Sequence, residues 1–308
     1  MPKPLPIQFQ ATDLESLATA KGRIAVLADA EQPTSPGFRR LDRLTRGALA
    51  RAAGSETFGK LKPGEAMDLA YPPGLAADAV QLIRLPKKAD QAQARKAGAA
   101  IGRMHGAGGS LVLAEGHARA ADIAFGLAMR AYDFDTHKTG EKTTPGPVTL
   151  MTTSPEAVAK AAASGAAVAE GVFFTRDLVN EPANVLTTHD FAARLAAMHE
   201  LGLDVEILEE EDLTRLGMGA LLGVGQGSES PSKVVVMHWH GGKKGEAPFA
   251  LIGKGVVVDT GGISIKPAAG MEEMTMDMGG AGTVAGVMRT LALRKAKANV
   301  VGLVGIVE

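Results

Sequence analysis

Two lysines and two aspartates lie in one stretch of the chain that is otherwise mainly small and apolar. Lys254, Asp259, Lys266 and Asp277 fall between residues 253 and 280, among glycines, valines and methionines. A charge that is removed from water costs several kcal/mol unless it is paired or bound to a metal ion. The stretch therefore predicts a partner that compensates these groups.

The spacing of these residues favours a functional site. Lys254 and Asp259 flank three valines that we interpret as a strand, and Asp259 leads into a Thr-Gly-Gly turn, where α/β proteins build their sites. Asp277 lies just before a glycine-rich helix start. The alternative is that both aspartates are helix caps or ion-pair partners of Lys254 and Lys266.

Two other motifs match this stretch incompletely. A phosphate-binding P-loop needs a hydroxyl residue after its lysine, and Gly255 stands there instead. Residues 256–261 resemble the Asp-Thr-Gly motif of aspartic proteases, which need two such aspartates, and this chain has one copy. Those proteases are also all-β. Both alternatives are therefore disfavoured.

A second candidate site is the pair His238 and His240. Residues two apart in a strand point to the same face, so both imidazoles could contact one metal ion. No third ligand is evident nearby, and the simpler interpretation is a solvated strand face. The acidic run at 209–212 is likewise interpreted as a solvated turn and helix start.

The composition indicates a folded, soluble protein. Of the 308 residues, 45% are hydrophobic, and 33 Lys+Arg balance 34 Asp+Glu, so no membrane or polyanion partner is expected. The absence of cysteine excludes disulfides and thiolate ligands and fits a cytoplasmic location. The first residues lack a signal pattern, and no uninterrupted apolar run is long enough to cross a membrane.

Apolar runs and amphipathic runs alternate through the first part of the chain. The patterns predict strands at 24–27, 80–83 and 111–113 and helices at 38–52, 88–105 and 117–132. This alternation predicts an N-terminal α/β domain over residues 1–145. A polar stretch with proline and glycine at 136–146 is interpreted as a hinge.

The second part predicts another α/β domain, over residues 146–308, with a mixed sheet flanked by helices. Strands are predicted at 148–151, 205–208, 234–237, 249–252 and 299–307. Helices are predicted at 154–178, 190–201 and 279–294. The fold class is therefore α/β in both domains.

The stretch GKGVVVDTGGISIKPAAGMEEMTMDMGG at 253–280 resembles the signature of the leucyl aminopeptidases, which are cytosolic two-metal exopeptidases. The resemblance extends to RDLVNEPANVLTT at 176–188 and to GMGALLGVGQGSESPSKVVVMHWHG at 217–241. Residues 150–308 resemble the first part of that family's catalytic domain. The earlier residues are similar to its N-terminal domain in pattern and placement only.

The resemblance implies three metal ligands. Lys254 matches a lysine that binds one metal ion through its amine, and Asp277 matches an aspartate on the same ion. Asp259 matches an aspartate that bridges two ions. A lysine can bind a metal only when neutral, and a nearby dication favours that form. Two divalent metal ions are therefore expected, Zn or Mn before Mg or Co.

The resemblance also implies residues that contact the substrate. Lys266 matches a lysine that faces the substrate, where its charge would stabilise the oxyanion of the tetrahedral intermediate. Met274 matches a methionine that lines the pocket for the first side chain. Thr275 departs from the family, in which lysine is common, without affecting a ligand.

These correspondences imply a metal-dependent aminopeptidase that releases N-terminal, preferentially apolar, residues from peptides in the cytoplasm as a homohexamer. A rival hypothesis is a regulatory role in which the assembled N-terminal domains bind DNA. It rests on five basic residues, which a solvated helix face explains more simply: Arg39, Arg40, Arg43, Arg46 and Arg51.

The ligand set found before Glu308 does not balance two metal ions. Two dications carry four positive charges, whereas Asp259 and Asp277 supply two negative ones. In the family, a later Asn-Thr-Asp-Ala-Glu-Gly-Arg segment supplies further ligands. We therefore expect residues 1–308 alone to bind metal weakly and to be a catalytically incomplete form of the enzyme.

Overall fold

The computed structural model describes residues 4–29 and 35–308, which form two compact units, 4–169 and 170–308. The sequence patterns place a domain boundary at 145/146, before the strand at 148–152. That strand hydrogen-bonds within the sheet of the first unit, and the division between the units falls at 169/170, inside a long helix. Both units combine helices with a sheet, so the α/β fold class is confirmed.

Six strands build the sheet of the first unit. They are β1 (Ile7–Ala11), β2 (Arg23–Ala28), β3 (Ala66–Ala70), β4 (Ala79–Arg84), β5 (Ser110–Glu115) and β6 (Val148–Thr152). Their order is β1-β6-β5-β2-β4-β3, and every neighbouring pair is parallel except β3 with β4. The patterns missed β1 and β3, because these two edge strands alternate apolar with polar or exposed residues and lack a continuous apolar run.

Helices cover both faces of this sheet. They are α1 (Pro36–Leu44), α2 (Ala48–Ala53), α3 (Glu56–Lys60), α4 (Gln91–Met104), α5 (Ala120–Arg130) and the first part of α6 (Pro155–Asn180). Phe38, Leu41 and Phe58 belong to one buried cluster, and Ile101 and Leu127 belong to the cluster on the other face. The alternation of strand and helix in the sequence thus produced a three-layer unit.

The helix predicted at 38–52 is two helices. Arg46 and Gly47 both have positive φ angles, 53° and 79°, which end α1. The carboxylate of Asp42 accepts a hydrogen bond from the Ala50 backbone N–H at 2.7 Å and supports the start of α2. The sequence shows one amphipathic run here because both helices bury leucines on the same side.

Among the residues that the structure describes, helix α6 has a length and an apolar composition that would allow it to cross a membrane. The same test is passed by core helices of soluble proteins. Its later part packs Phe174 and Leu178 into the buried cluster of the second unit. The helix is therefore weak evidence for a membrane span.

The second unit contains a four-stranded mixed sheet and helices packed on it. After α6 come α7 (Thr188–Ala196), β7 (Asp204–Leu208), α8 (Glu210–Arg215), α9 (Gly219–Gly225), β8 (Lys233–His240), β9 (Phe249–Val256), α10 (Gly279–Leu293) and β10 (Asn299–Val307). The strand order is β7-β8-β10-β9, with β10 parallel to β9 and antiparallel to β8. The predicted mixed sheet is confirmed.

The prediction that Lys254 and Asp259 flank a three-valine strand is wrong. Strand β9 begins at Phe249, includes Lys254 and ends at Val256, so Asp259 lies three residues beyond its end. The pairing of β9 with β10 explains the shift, because its register runs from Phe249 with Val300 to Val256 with Val307. The neighbouring strand, and not the run of valines, decides where the strand ends.

Glycines allow α10 to approach both its neighbours closely. A Cβ atom at Gly253 of β9 would lie 2.7 Å from Ala281 Cα, and one at Gly286 of α10 would lie 2.5 Å from the Gly171 carbonyl oxygen of α6. Real Cβ atoms do not come so close to backbone atoms. The position of α10, and of the residues that precede it, therefore depends on these glycines.

We predict that Gly286→Ala destabilises the second unit by about 1–3 kcal/mol, because the added methyl overpacks the contact with Gly171 and Thr175. The measurement is chemical denaturation followed by the fluorescence of Trp239, the single tryptophan, which lies in this unit. Gly223→Ala in α9 is the control, since no atom lies within 4 Å of its Cβ position. Equal midpoints for Gly286→Ala and the unaltered chain would contradict the packing argument.

Candidate metal centre

Strand β9 and the turn before α10 bring Lys254 and Asp277 together. Lys254 Nζ lies 2.8 Å from Asp277 Oδ1. Asp277 is carried by a 3-10 helix, Met271–Met278, which runs directly into α10. Because Gly253 and Gly255 let α10 sit against β9, the aspartate reaches the lysine between them. The 61% exposure of the Lys254 side chain differs from the burial that its apolar neighbours suggested.

The second pair joins Lys266 to Asp259. Lys266 Nζ lies 2.5 Å from Asp259 Oδ2, and the Gly261 backbone N–H donates to Asp259 Oδ1 at 2.9 Å. The hydrogen bond from Lys266 holds the pKa of Asp259 below its ordinary value, the Gly261 bond acts in the same direction, and desolvation opposes both. The charge of Lys254 also lowers the pKa of Asp259, so the two pairs belong to one electrostatic site.

One carboxylate oxygen of this site has no hydrogen-bond partner within the described residues. Asp277 Oδ2 is buried, while its other oxygen accepts from Lys254. A buried anionic oxygen without a partner costs free energy, and a bound cation is one way to remove that cost. The site therefore fits a divalent metal ion, since it combines this oxygen with a second carboxylate, Asp259, and with an amine.

Met274 lies beside the second pair. Its Sδ atom is 3.5 Å from Lys266 Nζ. Ile263 and Ile265, in the loop between Asp259 and Lys266, are exposed. Four of the five predicted positions are thus linked by ion pairs, and the fifth contacts one of their lysines.

The other candidate residues belong to other elements of the chain. His238 and His240 share a face of β8 as predicted, with ring centroids 5.5 Å apart and almost parallel rings. Among residues 4–29 and 35–308, no group of three or more His, Asp or Glu is placed to hold a metal ion. Arg40 pairs with Glu15 at 3.0 Å. The other four arginines of the predicted basic cluster are exposed: Arg39, Arg43, Arg46 and Arg51.

The sequence patterns missed one residue that positions the site. Thr175 of α6 has its hydroxyl 2.8 Å from the Gly282 carbonyl oxygen in the first turn of α10. The contact joins residues 107 positions apart in the chain, so no local pattern could reveal it. It helps to hold the start of α10, which directly follows the 3-10 helix that carries Asp277.

The second unit matches a known protein family. Residues 173–308 match the family model described as the catalytic domain of the cytosol aminopeptidase family. Over all 308 residues, the chain is 68% identical to a probable cytosol aminopeptidase of Cereibacter sphaeroides and covers 63% of that protein. The chain is therefore similar to cytosol aminopeptidases, and its residues 173–308 are similar to their catalytic domain.

A probable cytosol aminopeptidase of Dinoroseobacter shibae is 62% identical over 302 residues. The alignment covers 98% of this chain and 62% of that protein. The chain thus spans less than two thirds of the length of the cytosol aminopeptidases that it matches.

Two solved structures are similar to the chain. The bottromycin maturation enzyme BotP in complex with Mn is 29% identical, with a TM-score of 0.72, over 93% of this chain and 59% of that one. A mutant of tomato leucine aminopeptidase gives a TM-score of 0.74 over 99% of this chain and 63% of that one. Its identity is 23%, so it supports the fold alone.

We predict that Lys266→Gln raises the pKa of Asp259 towards its ordinary value, because the variant loses the charged partner that lowers it most. The measurement is a carbon NMR titration of the Asp259 carboxyl group. Lys254→Gln, which removes a weaker and more distant charge, should raise the pKa less. A larger shift in Lys254→Gln would contradict the assignment of the pairs.

The sign of the linked stability change follows from the lowered pKa. A carboxylate whose pKa is depressed in the folded state stabilises the fold above its unfolded pKa, and this share is lost as pH falls through the folded pKa. The unaltered chain should therefore lose more stability on acidification than Lys266→Gln does.

Proposed function

We propose that this protein is a metal-dependent aminopeptidase that releases N-terminal, preferentially apolar, residues from peptides. The observation that carries the proposal is the buried, unpartnered Asp277 Oδ2 within the charged site of Lys254, Asp259 and Lys266. The similarity of the chain to cytosol aminopeptidases supports the reaction class.

We assign Lys254, Asp259 and Asp277 as metal ligands. When bound, two divalent ions, Zn or Mn before Mg or Co, would supply Lewis acidity and a water molecule of lowered pKa. The Mn complex of BotP supports a divalent ion in a similar protein. In the metal-free state, the ammonium groups of Lys254 and Lys266 balance the carboxylates, so the site stays folded without a buried uncompensated charge.

Lys266 is the proposed catalytic residue. Its ammonium group, held by Asp259 and one-third exposed, can donate a further hydrogen bond to the oxygen of a substrate carbonyl. A fixed positive charge at that place favours the oxyanion that develops during peptide hydrolysis. Met274, in contact with Lys266, would form the wall that an apolar first side chain packs against.

The charge balance bears on how tightly the metals bind. Asp259 and Asp277 offer two negative charges to two dications. Residues 4–29 and 35–308 contain no cluster of three or more His, Asp or Glu that could add to them. We therefore propose that residues 1–308 by themselves bind metal weakly and turn over little substrate, and that full activity needs further carboxylate ligands.

We also propose that the protein is cytoplasmic and assembles as a homohexamer. Both parts of this proposal rest on the family resemblance. Sedimentation of the active protein tests the hexamer. The rival DNA-binding role is supported only by the exposed arginines of α1 and its neighbourhood. If the protein fails to bind DNA at low as well as at high salt concentration, this role is refuted.

We predict that two variants separate the proposed roles in the active protein. Lys266→Ala should lower kcat for a leucine amide by about 10²–10³-fold with metal content unchanged, because one oxyanion-stabilising group is lost. Asp259→Ala should lose metal. The measurements are turnover and elemental analysis of the same preparations.

Removal of metal from the unaltered protein by a chelator should abolish hydrolysis, and returning Zn or Mn should restore it. Full turnover in metal-free protein would refute the proposed function. A metal-free Lys266→Ala beside a metal-loaded Asp259→Ala would mean that the two roles are exchanged.

A further inference from the structure

Lys266 contacts the sulfur atom of Met274, which can be oxidised. Its Nζ atom lies 3.5 Å from Met274 Sδ and 2.5 Å from Asp259 Oδ2. The lysine therefore shares its hydrogen-bond donors between a carboxylate, which is a strong acceptor, and a thioether sulfur, which is a weak one. A change in the sulfur would alter the surroundings of the lysine directly.

Methionine is the main sulfur-containing target for oxidants in this chain. There are 13 methionines and no cysteine, so the thiol that peroxides usually oxidise first is missing. Four of the methionines occupy the eight residues of one 3-10 helix: Met271, Met274, Met276 and Met278. That helix also carries Asp277, so oxidation here acts within the proposed site.

Solvent reaches some of these sulfur atoms and not others. Met276 is 53% exposed, Met274 is half-buried, and Met278 is fully buried. The Lys266 side chain beside Met274 is 33% exposed. A small peroxide can therefore reach the Lys266–Met274 contact, while Met278 is protected.

We propose that Met274 is an oxidation site for hydrogen peroxide or another small hydroperoxide, and that its sulfoxide draws Lys266 away from Asp259 and lowers catalytic turnover. The oxidation rests on the geometry and composition given above. Its effect on turnover rests on the proposed function, in which Lys266 stabilises the oxyanion.

The reaction balances without any other reagent. A lone pair of the Met274 sulfur attacks one peroxide oxygen, the S–O bond forms and the O–O bond breaks. The departing oxygen takes up the proton of the oxygen that sulfur attacked and leaves as water, or as an alcohol when the oxidant is an organic hydroperoxide. The sulfur loses two electrons and the peroxide gains them. Methionine sulfoxide reductases reverse this change, so the site can act as a switch.

The sulfoxide changes the site in two ways. Its oxygen is a strong acceptor next to the Lys266 ammonium group, so it competes with Asp259 for the same donors. It also places a polar group on the proposed apolar wall of the substrate pocket. We expect kcat to fall by about 10-fold or more, as for partial loss of an oxyanion-stabilising group, and KM for apolar substrates to rise.

The first experiment follows the chemistry without any activity measurement. The chain is treated with hydrogen peroxide, and peptide mass mapping follows each sulfoxide with time. Met274 and Met276 should be oxidised while Met278 remains reduced. A Met274 that stays reduced after Met276 is fully oxidised overturns the proposal.

The second experiment tests the link to Lys266, with Met276→Leu as the matched control for Met274→Leu. In NMR spectra of ¹⁵N-lysine-labelled protein, peroxide should shift the Lys266 Nζ resonance in the unaltered chain and in Met276→Leu, and leave it in place in Met274→Leu. A shift that persists in Met274→Leu shows that another residue is responsible and overturns the proposal.

The third experiment measures turnover of a leucine amide by the active, metal-loaded protein, comparing each variant with itself before peroxide. The unaltered protein and Met276→Leu should lose activity and regain it with methionine sulfoxide reductase, whereas Met274→Leu should resist. Equal loss in all three overturns the regulatory role. A metal-loaded protein that has the further carboxylate ligands and is still inactive before peroxide refutes the proposed function instead, and the mass mapping still decides the oxidation site.

Discussion

The close approach of α10 to β9 is the constraint on which the candidate site depends. Gly253 and Gly255 remove the side chains that would hold the helix away, and Ala281 fills the space. The helix start then brings Asp277 within 2.8 Å of Lys254 Nζ. A larger residue at Gly253 would force α10 or β9 to shift, so the packing of the helix and the placement of the carboxylate are coupled here.

The charges of the site balance one another, but one carboxylate oxygen lacks a hydrogen-bond partner among the described residues. Each lysine holds one aspartate, and the partly exposed setting keeps the cost of both pairs low. That oxygen is Asp277 Oδ2, which is buried. Two ion pairs alone would be consistent with a purely structural role. A bound metal ion would explain why this buried oxygen has no hydrogen-bond partner in the part of the chain that the structure describes.

Much of the fold was predictable, because central strands of both sheets are continuous apolar runs. The strands around residues 24, 80, 111 and 300 were identified, whereas the edge strands β1 and β3 were missed because half of their residues face solvent. The helix break at Arg46 and Gly47 was missed since it depends on backbone angles that amphipathic periodicity does not record.

The residues of the candidate site and the family they indicate were determined by the sequence alone, since residue types and their spacing define the motif around Lys254, Asp259 and Asp277. Tertiary structure alone decided which lysine pairs with which aspartate, which carboxylate oxygen is left without a partner, and that Met274 contacts Lys266. The physical reason is that these contacts depend on the packing of α10 against β9 and α6, and Thr175 and Gly282 meet across 107 residues of chain.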